Sequence, residues 1–93
     1  MRALQRRENT AQRIKSWLEA IEEVALFADG FDDAVLGLTY DSNAGHWRVI
    51  YDSSECLSLL MQRDGMTFEE AVEFFDYNVT GGAVLPQSPL FMQ

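Results

Sequence analysis

The chain has 93 residues and a formal net charge of -8, from seven basic and fifteen acidic side chains. That length fits one domain over residues 1–93, and 47% hydrophobic with 24% charged residues is the balance of a folded chain rather than a disordered one. The acidic excess argues against a surface that binds polyanions throughout, and one cysteine with one histidine excludes a disulfide framework and a conventional zinc site.

No run approaches the ~20 apolar residues of a membrane span, and the start lacks the apolar core of a signal peptide. The charge is placed unevenly. Residues 1–15 carry Arg2, Arg6, Arg7, Arg13 and Lys15 against Glu8 alone, whereas the rest of the chain sets only Arg48 and Arg63 against fourteen carboxylates. The pattern is a basic arm, flexible over residues 1–9, on a strongly acidic body.

The first element reads as a long helix. Asn9 or Thr10 supplies a capping oxygen, and Ile14, Trp17, Leu18, Ile21, Val24, Ala25 and Ala28 recur at helical spacing until Asp29-Gly30 stops the run. Lys15 precedes Glu19 by four residues, the weaker order for a helical ion pair. Next, Val35–Tyr40 and His46–Tyr51 are rich in β-branched and aromatic residues around the turn composition Asp41-Ser42-Asn43-Ala44-Gly45, which predicts a hairpin with Gly45 at positive φ. Trp47, Val49 and Tyr51 share one face of the second strand, and a helix must cover that face for the hairpin to be stable. Trp17 and Trp47 both sit on apolar faces, which suits either a core or an interface.

Two short helices are expected to follow. Asp52 caps the first through Glu55, it carries Cys56, Leu57, Leu59, Leu60 and Met61, and Asp64-Gly65 ends it. Thr67 and Glu70 form a capping box for the second, whose buried stripe is Phe68, Ala71, Val72, Phe75 and Val79 and whose end is Gly81-Gly82. From Ala83 on, Pro86 and Pro89 break up the chain before Leu90-Phe91-Met92, an apolar end that should pack as an extended segment. The expected architecture is α+β: a long N-terminal helix, a β-hairpin, two short helices and an extended apolar C-terminal segment.

Phe31-Asp32-Asp33-Ala34-Val35-Leu36-Gly37, the strand end Val49-Ile50-Tyr51-Asp52, Cys56–Met61 and above all Gly65-Met66-Thr67-Phe68-Glu69-Glu70-Ala71-Val72 form a recurring order. Over roughly residues 29–92 this resembles a family of small, largely uncharacterised proteins of bacteriophages and bacterial genomes. Members continue with a Gly-rich segment and a Thr-Pro pair before an apolar end. Gly81-Gly82 and Ser88-Pro89-Leu90-Phe91 occupy those places here, with serine where threonine is usual. The resemblance implies a phage or mobile-element context in a bacterial host cytoplasm and transfers no catalytic residue.

The residues themselves offer little for catalysis. His46 has no partner motif, and Cys56 lies among leucines as a small hydrophobe. Glu22-Glu23, Asp32-Asp33 and Glu69-Glu70 are adjacent pairs that do not face one another on a helix. Asp41–Gly45 lacks the later oxygen ligands of a calcium loop, and no phosphate-binding glycine loop appears. No catalytic residue, metal or cofactor is therefore assigned.

The acidic side chains of the last helix are more informative. Glu69, Glu73 and Asp76 fall at i, i+4 and i+7 with Glu70 beside them, and no basic residue lies between Thr67 and Gln93. Like charges at that spacing cost about 0.2–0.5 kcal/mol per pair, and only Glu69 and Glu70 are near enough to the helix start for its dipole to compensate. A solvated face accounts for them; so does docking to a basic surface on a host protein, one that handles nucleic acid. On the second reading the protein is a non-enzymatic inhibitor of a bacterial defence system, anti-restriction or anti-CRISPR in type. The alternatives are a nucleic-acid accessory protein that contacts phosphates through Arg2, Arg6, Arg7 and Arg13, a homodimer in which those arginines meet the acidic body of a second copy, and a small carboxylate enzyme.

Overall fold

The computed structural model describes residues 2–80 and 87–93, with side chains at 10–79 and 87–93. Its architecture is α+β, with a three-stranded mixed sheet. Strands β1 (Val35–Asp41) and β2 (His46–Asp52) pair antiparallel in the expected hairpin. At the turn, Asp41 Oδ1 accepts from the Asn43 and Ala44 amides at 3.1 and 3.2 Å, and Gly45 takes φ 73°. The Ala44 N–H, helped by Arg48 and Asn43, holds the Asp41 carboxyl below its ordinary range. The C-terminal segment forms strand β3 (Leu90–Met92), parallel to β2 with Ile50 opposite Leu90 and Tyr51 opposite Phe91. Arg48 prepares that pairing, because its Nε donates to the Ser88 carbonyl at 2.8 Å.

Helix α1 (Arg2–Ala20) differs from the expectation. Its described side chains run only from Thr10 to Ala20, and the helix does not continue through Ala28. The Glu23 amide donates to the Leu18 carbonyl at 2.9 Å and the Glu22 amide to Glu19 at 3.1 Å, with Glu22 at φ 58°. This is a Schellman ending with glutamate in the left-handed position that glycine normally fills. Val24, assigned to the buried stripe, is 83% exposed as a result. Glu22→Gly should raise stability by about 0.5–1 kcal/mol by relieving the left-handed strain, read from a denaturant midpoint. No gain would mean that the Glu22 side chain compensates the strain. The arm over residues 1–9, with Arg2, Arg6 and Arg7, lies outside the described side chains.

Beyond the helix end, the chain turns back so that Ala25, Phe27 and Ala28 pack against the core. Lys15 does not pair with Glu19. Its Nζ meets Asp32 at 2.8 Å and lies 5.0 Å from the centre of the Phe27 ring. The sheet face carrying Leu38, Tyr40, Trp47, Val49 and Tyr51 receives α1, with Trp17 edge-on to Trp47 at 5.0 Å and Tyr40 against Trp47 at 5.1 Å. Trp17 is nevertheless 45% exposed, so the indole pair caps the rim of the core.

Helix α2 (Ser53–Asp64) begins and ends as expected: Asp52 accepts from the Glu55 amide, and Gly65 closes it at φ 70°. Arg63 in its last turn donates to the Gly30 carbonyl at 2.6 Å and ties α2 to the loop before β1. Helix α3 (Phe68–Phe74) starts from the complete Thr67–Glu70 capping box. It does not run on as an α-helix, because residues Phe75–Thr80 widen into a π-helical segment. Phe68, expected in the buried stripe, is 58% exposed, whereas Ala71 and Phe75 are buried. The expected stop at Gly81-Gly82 lies outside the described residues.

The core joins these elements through rings. Tyr51 stacks on Phe91 with centroids 5.3 Å apart, Phe91 meets Phe75 edge-on at 5.2 Å, and Phe75 meets Phe31 at 6.5 Å. Val35, Val49, Cys56, Leu60 and Ala71 fill the space around them. The aromatic chain therefore runs from the central strand to the base of the π-helical segment, and it sets how that segment's outer face is presented.

Candidate docking face

The capping box fixes the first acidic residue of α3. Thr67 Oγ1 accepts from the Glu70 amide at 3.2 Å, and Glu70 Oε1 accepts from the Thr67 amide at 2.9 Å. Glu70 is exposed, yet its carboxylate already has a structural task. One and two turns further along the same side stand Glu73, Phe74 and Tyr77. With Met66 and Asn78 they line an open groove of about 480 Å³. Tyr77 is 84% exposed and Phe74 38% exposed, which is unusual for aromatic rings on a helix whose opposite side is core. Asn78 Nδ2 donates to the Phe74 carbonyl at 3.3 Å, within the widened turn.

All four expected acidic residues are exposed, but they do not form one patch. Glu70 and Glu73 share the aromatic groove. Asp76 lines a different depression with Ser53, Ser54, Leu57 and Phe91, while Glu69 borders neither. Among the described residues Glu69 and Glu73 have no ion-pair partner, and of the two it is Glu73 whose uncompensated charge lies in the groove beside the exposed rings. Phe74 and Tyr77 are the groove residues that sequence reasoning missed. The available signal was their spacing from Glu70 and Glu73, which sets two rings among the acids instead of on the apolar stripe.

The other expected contacts lie elsewhere. Arg13 is exposed and lines a shallow hollow with Thr10, Ile14, Trp17 and Leu38. His46 is exposed at the start of β2, paired across the hairpin with Asp41. Cys56 is fully buried, and burial pushes its thiol up to about 12. That environment opposes thiolate formation and hence nucleophilic chemistry. Among the described residues no three His, Cys, Asp or Glu side chains converge as a metal site, and no helix is long and apolar enough to cross a membrane.

No family model matches the chain, and no curated protein or solved structure shows significant similarity to it. The candidate face therefore rests on its own geometry.

Proposed function

We propose that the protein is a non-enzymatic binding protein of phage or mobile-element type that docks its acidic α3 face onto a basic surface of a host protein in the bacterial cytoplasm. Blocking a nucleic-acid-handling surface of that host protein would make it an anti-defence inhibitor, of restriction or of a CRISPR effector. The observation that carries this reading is the uncompensated carboxylate of Glu73 in one groove with the exposed rings of Phe74 and Tyr77, with Glu69 a second uncompensated charge on the same helix outside the groove. Carboxylates alone suit solvent. Carboxylates beside exposed aromatic rings suit an interface, where rings provide buried area and charges steer a basic partner. The resemblance to phage proteins supplies the biological context.

The test is a tagged pull-down from host lysate with identification by mass spectrometry, using the wild type beside the Glu69→Lys, Glu73→Lys, Asp76→Lys variant. Because Asp76 already has an interaction within the protein, the Glu69→Lys, Glu73→Lys double variant is run as well, and both are checked by thermal melting. The expected result is a nucleic-acid-handling protein retained by the wild type, with purified-component affinity falling at least about tenfold in either folded variant. Equal capture by all three proteins would refute docking through this face.

A further inference from the structure

We propose that the groove formed by Met66, Glu70, Glu73, Phe74 and Tyr77 takes an arginine side chain from the basic partner. This rests on the docking reading above and names the group that would be recognised.

The walls and rim of the groove have different chemistry. Phe74 and Tyr77 present aromatic surface to solvent, and Met66 adds a polarisable thioether. Glu70 keeps one carboxylate oxygen on the Thr67 amide. Glu73 has no ion-pair partner among the described residues and is the rim acid able to pair outward. A ligand that satisfies both parts needs an apolar stem and a flat cationic head. The stem covers Met66 and Phe74 while the head lies over a ring and meets the carboxylate of Glu73.

Arginine fits better than lysine on physical grounds. Its guanidinium is planar, weakly hydrated and stacks on aromatic faces, and its fork pairs with a carboxylate through two parallel hydrogen bonds. An ammonium is a compact, strongly hydrated point charge that gains less from a flat ring. Charge complementarity selects a cation over a neutral or acidic occupant, because no basic residue lies between Thr67 and Gln93.

The experiment compares fluorescein-labelled hexa-arginine and hexa-lysine peptides by anisotropy at about 0.15 M ionic strength, where surface charge alone is largely screened. Hexa-arginine should bind at least about fivefold tighter than hexa-lysine, the size of one cation–π contact. Tyr77→Ala should remove that preference by weakening hexa-arginine binding more than hexa-lysine binding. Its melting temperature should stay at the wild-type value, since the ring is 84% exposed. Equal affinities for the two peptides, with no effect of Tyr77→Ala, would overturn the arginine groove and leave acidic docking standing. Binding of neither peptide would overturn both. A concentration-dependent dimer that hexa-arginine dissociates would assign the groove to the basic segment of a second copy and overturn the separate-partner proposal.

Discussion

Tyr51→Ala is expected to destabilise the fold by about 3–5 kcal/mol, the usual cost of emptying a fully buried aromatic site. Tyr51 has no accessible surface and stacks on Phe91, which leads through Phe75 to the π-helical segment. Its hydroxyl also accepts the Ala28 amide at 2.7 Å, tying the segment after α1 to the central strand. Tyr51→Phe isolates that last contribution. It keeps the ring and leaves the Ala28 N–H without its partner, at a cost of about 1–2 kcal/mol, because Ala28 is only half-buried and water can partly replace the phenol. Denaturant unfolding of both variants measures the two values. With single domains stable by only about 5–15 kcal/mol, the alanine variant should lose much of its folding margin, and peptide binding at the α3 groove should weaken with it. If Tyr51→Phe costs as much as Tyr51→Ala, the hydrogen bond rather than the ring stack organises this part of the core.

The contacts of Tyr51 also show which parts of the fold were legible in the chain. The hairpin was, because strand composition, the Asp41–Gly45 turn and the period of two agree with one another. So were both helix starts after it, since Asp52 and Thr67 act through side-chain oxygens that sequence spacing reveals. The end of α1 was not. Ile21, Val24, Ala25 and Ala28 continue a helical period, but the helix closes around Glu22, a residue that gives no stop signal. Tertiary contacts decide the outcome there: Phe27 and Ala28 reach the core, and the Ala28 amide reaches Tyr51, only because the chain leaves the helix early. The pairing of β3 with β2 was likewise invisible, since parallel register between Leu90 and Ile50 is a long-range property.

The candidate face was read from its charges, while its rings, which the same spacing from Glu70 and Glu73 signals, were missed. Spacing placed Glu69, Glu73 and Asp76 on one helical side, and all three are exposed. The same reasoning assigns aromatic residues near a helix to the core, which is correct for Phe75 and wrong for Phe68. Phe74 and Tyr77 stand where the α-helix gives way to the π-helical segment, and a change of helical pitch is not encoded in a regular period. Asp76 lines a different depression from Glu73, and an aromatic groove stands where a uniform acidic stripe was expected.

Stability should also fall steeply in alkali, from about pH 9 to about pH 12. Burial raises the Tyr51 phenol from 10.0 to about 12 and the Cys56 thiol from 9.0 to about 12. In each case the folded state favours the neutral form, so the unfolded chain loses its proton first as pH rises. The stabilisation is fully present below pH 9, begins to fade as unfolded cysteine ionises, and fades faster above pH 10 as unfolded tyrosine joins it. Chemical denaturation at a series of pH values gives the profile, and Tyr51→Phe separates the two groups. That variant should lack the steeper loss above pH 10 and keep the shallower one that starts near pH 9. Repulsion among the surface acids would produce a different signature, because added salt screens exposed charges and leaves the ionisation of buried groups nearly untouched. A profile that is flat to pH 11, or one abolished by salt, would show that neither buried group controls the alkaline limit. A salt-insensitive fall in two stages would place the weak point of the fold at Tyr51 and Cys56, in the core that supports the candidate face.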